Sequence, residues 1–277
     1  MRPVKFTGLA SEILSSAGPA RPACAACGLW GTCRSPGMRP FVPKGYTGRL
    51  LVVGEAAGKE EDDPVANRPF VGAAGRLLRK LLRECGFADS DVAFVNAVRC
   101  RPPKNATPPM RSVRACRPYL LRVVETLHPR SVVGVGATAL RGLTNDGSRQ
   151  NVTSERGRDL SGQVPGLSGR IREERGAEPP ASHSGLPGSH SPLSVWITYH
   201  PAAALYPGGS HLPVYIREDL RRAGRGEGEV VPVEPDRSGI IAGVRQAVGI
   251  DTEWAPDGAL LTVGVSDGKG AVAYETT

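Results

Sequence analysis

The chain has 277 residues, enough for one domain of ordinary size and a further piece. Hydrophobic residues make up 40% and aromatics only 5%, while Gly (35) and Pro (25) are abundant, which excludes a wholly disordered chain and points to a core joined to long irregular stretches. Lys plus Arg (35) against Asp plus Glu (27) gives a net charge of +8, which favours polyanionic partners, and no apolar run approaches the length of a membrane span.

Residues 1–23 read as an N-terminal lead with a short helix over Phe6–Leu14, and they lack the continuous apolar segment of a secretory signal. A cytoplasmic protein is therefore expected. In that reducing compartment six cysteines argue for metal or redox work rather than disulfides. Cys24 to Cys33 reads as a tight Cys/Gly turn region. Four short apolar runs follow, Arg49–Gly54, Val92–Val98, Ser131–Val135 and Ser194–Thr198, each continuous enough for a strand buried on both faces. Helical periodicity fills the intervals at Ala73–Cys85, Met110–Leu127 and Ala137–Leu143, and again at Val214–Arg222. The alternation predicts an α/β fold with a parallel sheet and helices on both sides.

Asn145–Leu193 is rich in Gly, Ser, Pro and Arg, has no periodicity, and is expected to be a mostly disordered insertion. Residues 223–238 read as an interdomain linker. Beyond it, Gly249–Glu253, Leu260–Val265 and Ala271–Tyr274 look like strands of a partial β-hairpin stub within residues 239–277.

Cys24 and Cys27 form a CxxC pair, and Cys100 and Cys116 follow at a strand end and on the next helix. Four thiolates suit either Zn²⁺ or a 4Fe–4S cluster, although the second pair is spaced too widely for a zinc ribbon. Cys100 and Cys116 read equally well as ordinary buried residues. Cys33 ranks below the CxxC pair as a ligand, and Cys85 reads as core.

Several blocks resemble family 4 uracil-DNA glycosylases, in the order that family shows them. Gly54-Glu55-Ala56-Ala57-Gly58, Glu61-Asp62 and Arg68-Pro69-Phe70-Val71-Gly72 resemble its first motif. Asn96 to Asn105 with Cys116-Arg117-Pro118, then Gly134-Val135-Gly136-Ala137-Thr138, and finally Thr198-Tyr199-His200-Pro201-Ala202 complete the set. The resemblance covers residues 24–222. It implies a three-layer α/β/α fold with a central four-stranded parallel sheet, and a 4Fe–4S cluster on Cys24, Cys27, Cys100 and Cys116. The chain departs from the family in having Ala57 where Pro is usual, in a longer stretch at 63–67, and in the long insertion, where only Arg156-Gly157 resembles a family feature.

The implied reaction is hydrolysis of the N-glycosidic bond of deoxyuridine flipped out of single- or double-stranded DNA. Glu55 is expected to activate water and offset charge on the sugar, and His200 to donate to the departing uracil oxygen. Phe70 is expected to stack on uracil, and Asn96 to read its O4 and N3–H edge. The backbone at Gly54, Ala56 and Gly58 is expected to line the base or phosphate site. Arg101 and Lys104 are candidates for phosphate contacts, and Leu205 or Tyr206 for a wedge into the vacated stack. The alternatives are a non-catalytic DNA-binding or polymerase-tethering module that keeps the fold, and a zinc protein of another function. A monomer is expected. Ile250-Asp251-Thr252-Glu253 resembles the first motif of DEDD-type 3′–5′ exonucleases found beside DNA polymerases, which implies a fusion continuing past Thr277.

Overall fold

The run Leu50–Gly54 forms β1, and every residue in it is buried, as its unbroken apolar character demands of a strand covered on both faces. Val92–Asn96 (β2), Ser131–Val135 (β3) and Ser194–Thr198 (β4) repeat that pattern. They lie in a computed structural model that describes residues 22–65, 67–149, 151–167 and 193–225, and beyond them only strands at 234–235, 249–254, 260–266 and 271–275. All pairings among the first four strands are parallel, in the order β2-β1-β3-β4. The expected four-stranded parallel sheet is thus present. The order reverses beside β1, because β2 lies on one side of it and β3 on the other, and such a switch point opens a crevice at the carboxyl ends of the strands.

Alternate side chains of each strand enter two separate cores. Leu51, Val53, Val95 and Val132 pack with Leu120, Val123 and Leu127 of α3 (Met110–Leu127) and with Leu140 and Leu143 of α4 (Ala137–Thr144). Leu50, Val52, Phe94 and Trp196 pack on the other face with Leu78, Leu81 and Leu82 of α2 (Ala73–Glu84) and with Ile216 and Leu220 of α6 (Leu212–Arg225). The three layers follow from this alternation. None of the helices described is long and apolar enough to cross a membrane.

Four boundaries differ from the sequence reading. The Cys24–Cys33 region begins not as a turn but as helix α1, Pro22–Cys27, which places the two cysteines one helical turn apart on a common face. Residues 151–167, read as part of a disordered insertion, are folded in the structure. They carry the short helix α5 (Val152–Glu155) and a 3₁₀ turn at Ser161–Gln163. Leu160, Val164 and Leu167 are buried in the α3 side of the core, and the Leu160 and Val195 backbones bond at 2.7 Å. Three apolar residues on such short elements leave no periodicity to detect. Helix α6 also runs past the expected linker start to Arg225, because Ala223 is buried and its carbonyl accepts from Ser131 Oγ at 2.8 Å. Lastly, the C-terminal part is more than a hairpin: Gly249–Trp254 (β6), Leu260–Ser266 (β7) and Ala271–Glu275 (β8) are antiparallel, and Glu234–Pro235 (β5) adds a parallel edge to β8. Asp251 and Glu253 both fall within β6. The chain divides into two compact units, Met1–Gly228 and Glu229–Thr277. The helix expected at Phe6–Leu14 lies outside the described residues.

Candidate active site

Glu55 leaves the carboxyl end of β1, and α4 begins beside it after β3. The Thr138 hydroxyl, in the first turn of α4, donates to Glu55 Oε2 at 2.7 Å and accepts from Arg141 at 3.1 Å. Arg141 thus orients the hydroxyl and the hydroxyl orients the carboxylate. Oε1 has no hydrogen-bond donor among the described residues. The Glu55 carbonyl accepts from Val98 N–H at 2.9 Å, which ties the ends of β1 and β2 together.

His200 follows β4 and caps the 3₁₀ turn Pro201–Leu205, with its Nδ1 accepting from Ala202 N–H at 3.2 Å. A ring nitrogen that accepts carries no proton, so the neutral imidazole holds its hydrogen on Nε2. Burial lowers the His200 pKa and the nearby Glu55 carboxylate opposes that shift. The acid and the imidazole, 145 positions apart in the chain, both border the turn after β3: Thr138 bonds Glu55 and Gly136 faces the His200 Cβ. Gly136 makes room: at φ +88° it follows β3, and a Cβ there would lie 3.0 Å from the His200 Cβ.

Gly54, Phe70 and Asn96 form a second convergence beside Glu55. Gly54 and Asn96 are register partners at the ends of β1 and β2. A side chain at position 54 would meet Asn96 Oδ1 at 2.3 Å and the Phe70 ring at 2.6 Å. Phe70 is held at φ 61°, a left-handed conformation costly for an aromatic residue and frequent at functional sites. Its buried ring packs against Phe94 with centroids 5.2 Å apart. Gly75 lets α2 approach, since a Cβ there would fall 2.1 Å from the Phe70 carbonyl oxygen. Asn96 Nδ2 donates to Met38 Sδ at 3.5 Å.

Consecutive carboxylates brace this region. Glu61 accepts from Gly58 N–H at 3.0 Å and Val71 N–H at 3.1 Å, and burial raises its pKa. Asp62 accepts from Ser35 N–H at 2.7 Å and pairs with Arg101 at 3.7 Å. These contacts involve several of the expected site residues. The Gly58 amide serves Glu61 and is not offered to a ligand. The Ala56 side chain packs toward the cysteine region. Arg101 is engaged by Asp62, and by Asn105 at 2.7 Å, so it organises its own loop. Lys104 is exposed, as are Leu205 (51%) and Tyr206 (69%) just after the His200 turn.

Cys24, Cys27, Cys100 and Cys116 line one cavity, together with Trp30, Gly37, Arg99 and Tyr119. α1 is docked on α3 there, with Ser112 Oγ donating to the Cys27 carbonyl at 2.7 Å. Backbone N–H groups donate to two of the sulfurs, Leu29 to Cys27 and Gly37 to Cys100, both at 3.3 Å. Burial pushes the Cys100 thiol up to about 12 and raises Cys116 as well. Among the described residues, no group of three or more His, Cys, Asp or Glu side chains is placed to hold a metal ion. Cys33 neighbours Cys100 outside the cavity lining, and the Cys85 thiol donates to the Arg217 carbonyl at 3.4 Å.

Thr138, Asp62, Met38 and Gly136 were not assigned roles from the sequence. Thr138, Gly136 and Asp62 stand inside recognised blocks, so their positions were visible but their contacts were not.

A model of the uracil DNA glycosylase superfamily matches residues 43–221. A type-4 uracil-DNA glycosylase of Sulfurisphaera tokodaii is 32% identical over 203 residues, which is 72% of this chain and 78% of that protein. One from Pyrobaculum aerophilum is 34% identical over 158 residues, covering 56% of this chain and 67% of the relative. One from Thermotoga maritima reaches 45% over 112 residues, 40% of this chain and 57% of its own length.

Proposed function

The chain belongs to the uracil DNA glycosylase superfamily, and we propose from that membership that it excises uracil from DNA by the type-4 reaction, with Glu55 and His200 as its catalytic residues. The bond broken is the one between the sugar C1′ and uracil N1. Its electron pair leaves with the base, so negative charge gathers on uracil while positive charge gathers on the sugar. The His200 Nε2–H, directed by the Ala202 bond to Nδ1, donates to the oxygen that takes up the charge. Glu55, oriented by Thr138, offsets the sugar cation and receives the proton of the attacking water, whose oxygen bonds to C1′. The products are the uracil anion, which takes a proton from solvent once released, and an abasic deoxyribose. Asn96 and Phe70 form the base pocket, and the exposed Leu205 and Tyr206 reach toward the stack that the base leaves.

The cavity lined by four cysteines suits a 4Fe–4S cluster by its donor set: four thiols, two of them receiving backbone N–H bonds as cluster sulfurs do. Cys24, Cys27, Cys100 and Cys116 would hold it, and its contribution would be to lock α1, α3 and the loop after β2 together. What supports the reading above all is the turn after β3, where Thr138 bonds Glu55 at 2.7 Å and a Cβ on Gly136 would lie 3.0 Å from the His200 Cβ. It is tested with an oligonucleotide carrying one uracil. Wild-type protein should release the base and leave an alkali-labile site, and Glu55→Ala should lose most of that activity. DNA binding without release by the wild type would favour the non-catalytic module.

A further inference from the structure

We infer that Met38 is a specificity-determining residue, whose thioether fixes the orientation of the Asn96 amide and so makes the pocket read uracil instead of cytosine. The inference rests on the glycosylase reading above and on Asn96 facing the base. An asparagine amide has two nearly isosteric ends, a carbonyl that only accepts and an NH₂ that only donates. A half-turn about its last bond exchanges them. Uracil offers an acceptor at O4 beside a donor at N3, and cytosine offers a donor at N4 beside an acceptor at N3. One amide orientation complements uracil and the turned one complements cytosine. Something must therefore prevent the turn.

The structure supplies that constraint at Met38. Asn96 Nδ2 places one of its hydrogens on Met38 Sδ at 3.5 Å, and both residues are buried, 5% and 2% exposed. A thioether has lone pairs and no hydrogen, so it accepts and never donates. In the turned amide, Oδ1 would face the sulfur with no proton between them and would be left unsatisfied in a buried site. The held orientation keeps the second Nδ2 hydrogen and Oδ1 for the base edge. Oδ1 already lies on the Gly54 and Phe70 side of the amide.

Met38 cannot easily move away. Its N–H donates to the Arg99 carbonyl at 2.7 Å, and its own carbonyl accepts from Arg99 Nε at 2.9 Å. The Arg99 guanidinium also bonds the Gly37 carbonyl at 2.6 Å and stacks on Tyr119 at 3.7 Å. The Met38 backbone is thus held at both its N–H and its carbonyl, and burial of the side chain confines the sulfur.

The experiment compares kcat/KM for matched oligonucleotides carrying a single uracil or a single flippable cytosine. Wild type, Met38→Leu and Asn96→Ala are measured, together with wild-type chain whose methionines are replaced by norleucine, which deletes the sulfur with almost no change of shape. In Met38→Leu and in the norleucine protein the uracil-to-cytosine ratio should fall by about tenfold, the worth of one ordinary buried hydrogen bond. A merely structural Met38 would lower both rates together and leave the ratio unchanged, and that result in the norleucine protein overturns the inference even if Met38→Leu fails to fold. Wild type that releases no uracil would instead bring down the glycosylase reading. Full uracil activity in Asn96→Ala would remove Asn96 from base recognition, and this inference with it.

Discussion

The imidazole of His200 is set up to work uncharged. Burial keeps its pKa under the ordinary histidine value, and the Ala202 amide fixes which nitrogen carries the hydrogen. Removing that donor by His200→Ala should slow single-turnover excision by about 10²–10³, the usual loss for one preorganised oxyanion donor. The pH behaviour follows in sign. Protonation costs the folded protein more than the unfolded chain, so the unfolded chain gains the proton first as pH falls through about 6.5. Stability contributed by the neutral ring is complete above that pH and declines below it. His200 should accordingly show no titration from neutral pH upward when followed by imidazole NMR. Glu55, Asn96 and His200 could be proposed from the sequence because each stands at or just past a strand end within a recognised block, and Phe70 because it stands within the first block, ahead of α2. Thr138 and Met38 were not, because their importance lies in which atom they touch, and sequence spacing carries no such information.

At the scale of elements, strands and long helices were read nearly to the residue, since unbroken apolar runs and one-face periodicity are physical requirements of buried strands and packed helices. The segment at 151–167 escaped because its three buried apolar residues lie on elements too short to show a period, and the rest of its anchoring is polar. Arg156, beyond α5, makes two bonds to Asp219 of α6 at 3.1 and 3.2 Å and lies 4.5 Å from the Tyr215 ring centroid. Asp219 is fully buried, and burial pushes its carboxyl up to about 6 although Arg156 pulls the other way. Arg156→Ala removes one partner of a buried pair and should cost about 3–5 kcal/mol at alkaline pH. The deficit should shrink toward acid pH, because the orphaned carboxyl is then protonated and neutral. Urea unfolding on either side of neutrality measures the difference. An equal deficit at both would mean that packing against Tyr215, not charge, is what Arg156 supplies.

At the scale of the molecule, a sheet of four short strands carries two neighbourhoods at one edge, the Glu55–His200 crevice and the cysteine-lined cavity. Ligand that binds only the folded state stabilises it by mass action, so a bound cluster should raise the melting temperature of the chain. Cys100→Ala should yield protein with less iron per chain, weaker visible absorption and a lower melting temperature than wild type. Unchanged iron content would point to Cys33, which neighbours Cys100, as a substitute ligand.

Glu61 and Asp62 adjoin in the chain yet serve different neighbourhoods: the first steadies the turn that carries Phe70, the second grips Ser35 and Arg101 on either side of the cysteine loops. A peptide bond is the whole distance between those duties. Drift on the cysteine-facing side is therefore yoked to the Phe70-facing side, and retuning one by evolution or by an engineer calls for a compensating change in the other.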